Sequence, residues 1–333
     1  MEEVVLIADS TGKGYGFAKG VYNYLKAKQD EKFSVKLTDI EKTTFKDGEY
    51  KIKICDNIRR RKCFLICDGN KPACQWFTDL IFTLEAMTFS SPEEINVVLP
   101  YMRFARQERK DESRVSVNAK AIAETISLYA SRGMAVDLHA AQIQEYFKFP
   151  FDNLYSYPVL INYLKKYYKE MLENLVIVSP DLGGGKRAES LVKRLHDEGF
   201  DVGVAFSHKT RKKENEVEKS LVIGDVNNKN CLIVDDIIDT GNTLVKTAEA
   251  LKEKGAKKVY AYGTHGLFTE GIGKFNVFDK VMISDTINKN GFENLEVVSL
   301  VNLFGEAIYR TVKGESLSSL FNRQGEEQDI LKV

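Results

Sequence analysis

The sequence carries no excess charge of either sign: 48 Lys and Arg stand against 48 Asp and Glu in 333 residues. Without a net basic field, general attraction to nucleic acid has no electrostatic driver. No apolar run approaches the roughly 20 residues that cross a bilayer, so no membrane segment is expected. Cysteine is sparse and badly spaced for chemistry. The five residues, Cys55, Cys63, Cys67, Cys74 and Cys231, are odd in number and form no CxxC pair. That argues against a disulfide framework or a zinc site and for reduced, buried thiols in a cytoplasmic protein. The opening MEEVVLIADS is acidic and moves straight into a strand pattern, unlike a signal peptide. What is present, 43% hydrophobic and 29% charged residues, suits a soluble globular protein with a substantial core and enough chain for two domains.

Apolar strand-like runs recur along the chain, at 4–8, 63–67, 95–100, 134–138, 175–178, 202–206, 221–223, 231–234, 258–262, 280–283 and 295–300. Helical patterns lie between many of them, at 17–28, 75–87, 119–130, 159–172, 188–198 and 244–254. Such alternation predicts parallel sheets covered by helices, an α/β protein. Two series of this kind meet near Asn153–Pro158. The expected division is a domain over 1–155, a second over 156–302, a helical segment over 303–322 and a polar tail over 323–333.

The most informative stretch is Cys231 to Thr243, CLIVDDIIDTGNT. Four apolar residues read as a buried parallel strand, with Asp235 and Asp236 where it would end. The turn Asp239, Thr240, Gly241, Asn242, Thr243 then leads into an amphipathic helix that stops at Gly255. Backbone N–H groups of such a turn and the helix dipole favour a dianionic phosphate, while two carboxylates accept hydrogen bonds from neighbouring hydroxyls. No Lys stands in the turn, so it is not a Walker loop, and a sugar 5-phosphate fits better than a nucleotide tail.

Other segments are weaker singly. Phe45, Lys46, Asp47, Gly48 and Glu49 read first as a hairpin turn. RFARQERKDESR, from Arg103 to Arg114, sets forked guanidinium donors beyond a strand end, where they suit oligophosphate; a solvated charged loop is the bland alternative. Asp137-Leu138-His139 closes another strand, and that histidine could be ligand, base or structural. Ser179 to Gly185, SPDLGGG, places Asp181 at a strand tip before three glycines, in a spacing that is not the dinucleotide pattern. The charged run His208 to Lys219 reads as solvated surface or as a mobile loop carrying Lys209 and Arg211.

Taken in order, FKDGE, ARQERK, DLHAAQIQEYF with FDNLY, SPDLGGGKRA, the Lys-x-Arg run, VDDIIDTGNT and ESLSSLF closely resemble the ribose-phosphate pyrophosphokinase (phosphoribosyl-pyrophosphate, PRPP, synthetase) family over nearly the whole chain. The resemblance implies two phosphoribosyltransferase-like α/β domains with mostly parallel sheets, related by a pseudo-twofold, the C-terminal helix returning to the first. It implies a Mg²⁺-dependent transferase of nucleotide biosynthesis in the cytoplasm, making PRPP and AMP from ATP and ribose 5-phosphate. It also implies a homo-oligomer, at least a dimer and commonly a hexamer. By the same likeness Phe45, Asp47 and Glu49 contact ATP from a neighbouring subunit, and Arg106, Gln107 and Arg109 meet it from the sugar's own chain. Asp235, Asp236 and the turn Asp239–Thr243 hold ribose 5-phosphate; His139 and Asp181 hold Mg²⁺ or its waters; Lys209, Arg211 and His139 serve the transfer. Glu108, Arg60, STGKGYGF, CDGNKPACQW and Lys-Thr-Arg depart from the family pattern. A type I phosphoribosyltransferase would leave FKDGE, ARQERK and the length unexplained, and an inactive PRPP-synthetase-associated regulatory subunit would be expected to lose catalytic motifs that remain here.

Overall fold

The computed structural model describes residues 2–181, 183–210, 219–288 and 293–321. They fall into two compact units, the first drawn from residues 2–156, 286–288 and 300–321, the second from 157–285 and 293–299.

In the first unit the chain runs through β1 (Glu2–Ala8), α1 (Tyr15–Ala27), β2 (Phe33–Thr44), β3 (Tyr50–Ile54), β4 (Lys62–Ile66), α2 (Ala73–Phe89), β5 (Glu94–Leu99), α3 (Asn118–Ile126), β6 (Arg132–Val136) and β7 (Phe151–Leu154). The sheet order is β3-β2-β1-β4-β5-β6-β7, parallel except where β3 pairs β2. Val4 to Ala8 are all buried, as expected of a parallel strand covered on both faces. Trp76, Leu80, Leu84 and Met87 recur at helical spacing on α2 and fill the core against Val97 and Leu99 of β5.

The second unit follows with α4 (Tyr157–Tyr167), α5 (Lys169–Leu172), β8 (Leu175–Ser179), α6 (Gly185–Asp197), β9 (Gly203–Thr210), β10 (Lys219–Ile223), β11 (Asn230–Ile238), α7 (Asn242–Glu253), β12 (Lys258–Gly266), β13 (Lys280–Ser284) and β14 (Leu295–Val298). Its order, β10-β9-β8-β11-β12-β13-β14, repeats the first sheet strand for strand, again with the antiparallel pair at one edge. The last helix, α8 (Val301–Lys313), lies in the first unit, where Phe304 packs edge-on against Phe17 of α1 with ring centroids 5.3 Å apart.

Several details differ from the sequence expectation. Strand β7 has no counterpart among the expected runs, and β2 and β3 are expected only as the unbounded flanks of the 45–49 hairpin turn. β2 alternates along its inner half and then runs on as the exposed Glu41–Thr44, so no continuous apolar run announces it. The helix expected over 159–172 is broken at Tyr168, whose ψ of 34° leaves the helical region. The terminal helix does not continue to Phe321: Gly314 takes φ +70° and the Glu315 N–H caps the Arg310 carbonyl at 2.9 Å, ending α8.

Candidate active site

In the second sheet the strand order reverses between β8 and β11, and a crevice forms beyond the carboxyl ends of such strands. β11 loses its β8 partner after Ile233 but stays paired with β12 as far as Ile238. Asp235 and Asp236 therefore do not end the strand, contrary to the sequence reading. They sit where one neighbour has stopped and the other still holds the backbone extended, which opens that side of the strand.

The acid pair has a cation that the sequence reading did not assign. Arg187 of α6 places Nη1 3.2 Å from an Asp235 oxygen and 3.0 Å from an Asp236 oxygen. The Asp236 N–H also donates to the Asp235 carboxylate at 2.9 Å. Asp236 is buried, and the Asp235 side chain retains 21% exposure. Burial, then the adjacent Asp236 charge, hold the Asp235 carboxyl well above the usual carboxylate range, with Arg187 opposing. The signal for Arg187 was a Lys-Arg pair directly after a glycine run, but its target lies 48 residues on.

Asp181 begins the loop after β8. One of its oxygens accepts the Gly184 N–H at 2.8 Å, and its carbonyl accepts the Ser179 hydroxyl at 2.6 Å. The turn Asp239–Thr243 follows β11 and leads into α7. Gly241 caps α7 at φ +76°, and a Cβ there would stand 2.1 Å from the Phe275 ring, so both backbone and space demand glycine. Around it the Thr269 hydroxyl donates to Asp239, and Lys274 Nζ lies 2.8 Å from the Asn242 side-chain oxygen. The first N–H groups of the twelve-residue α7 leave the turn with no intrahelical partner. The unit thus brings Asp181, Asp235, Asp236 and Asp239–Thr243 to the carboxyl-end side of two adjacent strands, β8 and β11. It offers carboxylate acceptors for hydroxyls beside amide donors for an anion.

Lys209 lies in β9, its backbone opposite Ser220 of β10, so the expected loop begins later than the sequence suggested. Arg211 lies outside the described residues.

In the first unit, Phe45 to Glu49 form the β2–β3 hairpin turn, with the Phe45 N–H on the Glu49 carbonyl at 2.7 Å. Phe45, Asp47 and Glu49 are all exposed there. Arg106, Gln107 and Arg109 occupy the loop after β5. Gln107 donates to the Arg109 carbonyl at 2.9 Å and to Asp111 at 3.1 Å, while the Tyr146 hydroxyl holds the Glu108 carbonyl at 2.6 Å. Arg106 and Arg109 project exposed from that tethered loop. His139 is exposed beyond β6, the strand next to β5. Asp137 before it takes φ +42° and accepts hydrogen bonds from the buried Ser156, and the Leu138 N–H donates to Asn153 at 3.0 Å. The hairpin and the arginine loop are not neighbours in the sheet, since β1 and β4 separate β2 from β5.

A carboxylate pair beside a glycine-capped helix turn, at the switch point of a mostly parallel sheet, defines an α/β protein built to take a ligand beyond its strand ends. Similar proteins narrow that class. Residues 16–129 match the family model described as the N-terminal domain of ribose phosphate pyrophosphokinase, and 152–296 match the phosphoribosyl transferase domain. The ribose-phosphate pyrophosphokinase of Aquifex aeolicus is 41% identical over 293 residues, 86% of this chain and 92% of that protein. That of Haemophilus influenzae is 37% identical over 315 residues, 92% of this chain and 98% of that protein. The crystal structure of phosphoribosylpyrophosphate synthetase from Mycobacterium smegmatis superposes with a TM-score of 0.81 at 28% identity, covering 94% of this chain and all of that one. The chain belongs to the ribose-phosphate pyrophosphokinase family.

Proposed function

We propose that this chain transfers the β,γ-pyrophosphoryl group of ATP to the 1-hydroxyl of ribose 5-phosphate, giving PRPP and AMP. The observation that carries the reading is the second-unit crevice, where Arg187 spans Asp235 and Asp236 beside the α7 turn. Sugar hydroxyls are held by the two carboxylates, and the 5-phosphate by the N–H groups of Asp239–Thr243. O1 forms a bond to the β-phosphorus as the bond to the α,β-bridging oxygen breaks. AMP leaves with that oxygen, and the hydroxyl proton passes to solvent. Such a transfer depends on in-line placement and charge stabilisation, with little covalent work for side chains.

Arg106, Gln107 and Arg109 bind the ATP phosphates in this reading, and Phe45, Asp47 and Glu49 of a neighbouring subunit hold its nucleoside. Lys209 and Arg211 stabilise charge on the transferring group. No group of three or more His, Cys, Asp or Glu able to hold a metal is found among the described residues. Mg²⁺ fits nonetheless, because it commonly takes one or two protein donors and completes its shell with water and substrate phosphate. Asp181 and His139 are the donors assigned, and the ion would supply neutralisation of the pyrophosphoryl charge. The reading includes a cytoplasmic homo-oligomer, at least a dimer and by family pattern a hexamer.

Purified protein given ATP, Mg²⁺ and ribose 5-phosphate is expected to release AMP in step with PRPP. Release of ADP, or no nucleotide product across a range of phosphate concentrations, contradicts the proposal.

A further inference from the structure

A second concavity lies in the second unit, at the opposite ends of its strands. It has a volume of about 520 Å³ and opens beside the starts of β11 and β12. Five residue steps separate Asn230 from Asp235 on β11, about 17 Å at roughly 3.3 Å per residue, so this hollow is distinct from the acid pair's crevice.

Its lining is basic and aromatic. Lys166, Lys169, Lys257 and Lys258 surround it against one carboxylate, Glu170. Lysines nearby are neutralised: Lys165 meets Glu198 at 2.8 Å, Lys229 meets Asp225 at 3.1 Å and Lys280 meets Glu296 at 3.3 Å. Lys169, Lys257 and Lys258 form no ion pair among the described residues. Tyr167, 54% exposed, presents its ring at the rim, with Lys166 Nζ 4.8 Å from the ring centroid. Tyr167 is braced by Tyr163 at 4.8 Å between centroids, while Tyr168 meets the buried Tyr260 at 6.1 Å. Asn230 also lines the hollow. Its Nδ2 donates to the Met171 carbonyl at 3.2 Å, while its buried Oδ1 has no hydrogen-bond partner among the described residues.

We infer that this hollow is a second ligand site, for a nucleoside polyphosphate. Three uncompensated ammonium groups suit a chain of phosphates, for which lysine is a point-charge binder. A braced, exposed tyrosine ring offers a stacking face that inorganic phosphate would not use. The volume lies within the range of small-molecule sites.

The test is equilibrium dialysis of the full chain with labelled α,β-methylene ATP, which cannot undergo pyrophosphoryl transfer. Wild type is expected to bind one equivalent more per chain than Lys257→Glu/Lys258→Glu, in which that equivalent weakens by about thirtyfold. The turnover number of the variant in AMP formation should be unchanged, which separates this site from the proposed activity. Tyr167→Ala should weaken the same equivalent roughly tenfold while leaving tripolyphosphate binding as in wild type. Equal stoichiometry and affinity in wild type and the lysine variant overturn the site. An unchanged nucleotide affinity in Tyr167→Ala overturns the nucleoside assignment. Displacement by a short oligoribonucleotide at concentrations below the analogue's own dissociation constant shows a polymer occupant and overturns the proposal as well.

Discussion

The two units share one strand order, β3-β2-β1-β4-β5-β6-β7 in the first and β10-β9-β8-β11-β12-β13-β14 in the second, yet treat the same crevice in opposite ways. In the second, Arg187 bridges a carboxylate pair that keeps some exposure, beside a glycine-capped turn. In the first, the chain fills the place itself. Lys71, after β4, sets Nζ 2.7 Å from both Asp9 and Asp79, and Asp79 also takes Lys42 at 2.9 Å. Burial opposes the Lys71 charge, but the hydrogen bonds it donates to Asp79 and Asp9 outweigh burial and raise its ammonium above the ordinary value. Asp68 lies over the loop before α1, so close that a Cβ on Gly12 would stand 2.5 Å from one of its oxygens and one on Gly14 2.6 Å from the other. Only about 30 Å³ is left between these groups. A shared fold thus supplies the crevice, and the ion pairing of a few side chains around it decides whether it stays available to a ligand.

The comparison can be broken most forcefully in the first unit. Lys71→Met leaves two largely buried carboxylates short of a cation and should cost about 4 kcal/mol in denaturant unfolding. The KM for ribose 5-phosphate should not move; a large rise would mean that this crevice handles substrate too. Next is Asp236→Ala in the second unit, expected to raise that KM by about a hundredfold with the KM for ATP nearly constant. Equal effects on both substrates would contradict the sugar assignment. Gly241→Ala, strained at positive φ and clashing with Phe275, should lose about 2 kcal/mol in thermal unfolding.

The smallest effect concerns pH and has opposite signs in the two crevices. Asp9 and Asp79 are held below the ordinary carboxylate value: burial opposes, but the Lys71 hydrogen bond and its companions prevail. Their contribution to stability is present above that value and lost as pH falls through the lowered one. Asp235 is held above it, so its contribution is present at acid pH and lost as pH rises through the raised value. Unfolding titrations should show Asp79→Asn losing its deficit toward acid pH, and Asp235→Asn gaining on wild type toward neutrality. The same trend in both would remove the contrast.

Strands carried by continuous apolar runs, such as Val4–Ala8 and Cys231–Val234, were legible in the sequence because parallel burial writes itself as a run. The turn at Asp239–Thr243 was legible for a related reason, since glycine before a helix marks a local backbone demand. What stayed hidden was nonlocal. The last residues of β11 are strand only because β12 pairs with them, and Arg187 acts on acids far along the chain. Lys71 read as a departure in a loop; its meaning depends on Asp9, 62 residues earlier. Charge pairing across such distances leaves no periodicity to read.

Amide hydrogen exchange with and without ribose 5-phosphate tests the central contrast most directly. Added sugar phosphate should protect the amides of residues 239–245, at the turn and the start of α7, and leave those of residues 9–15 before α1 unchanged. Protection of 9–15 with none at 239–245 would contradict the account.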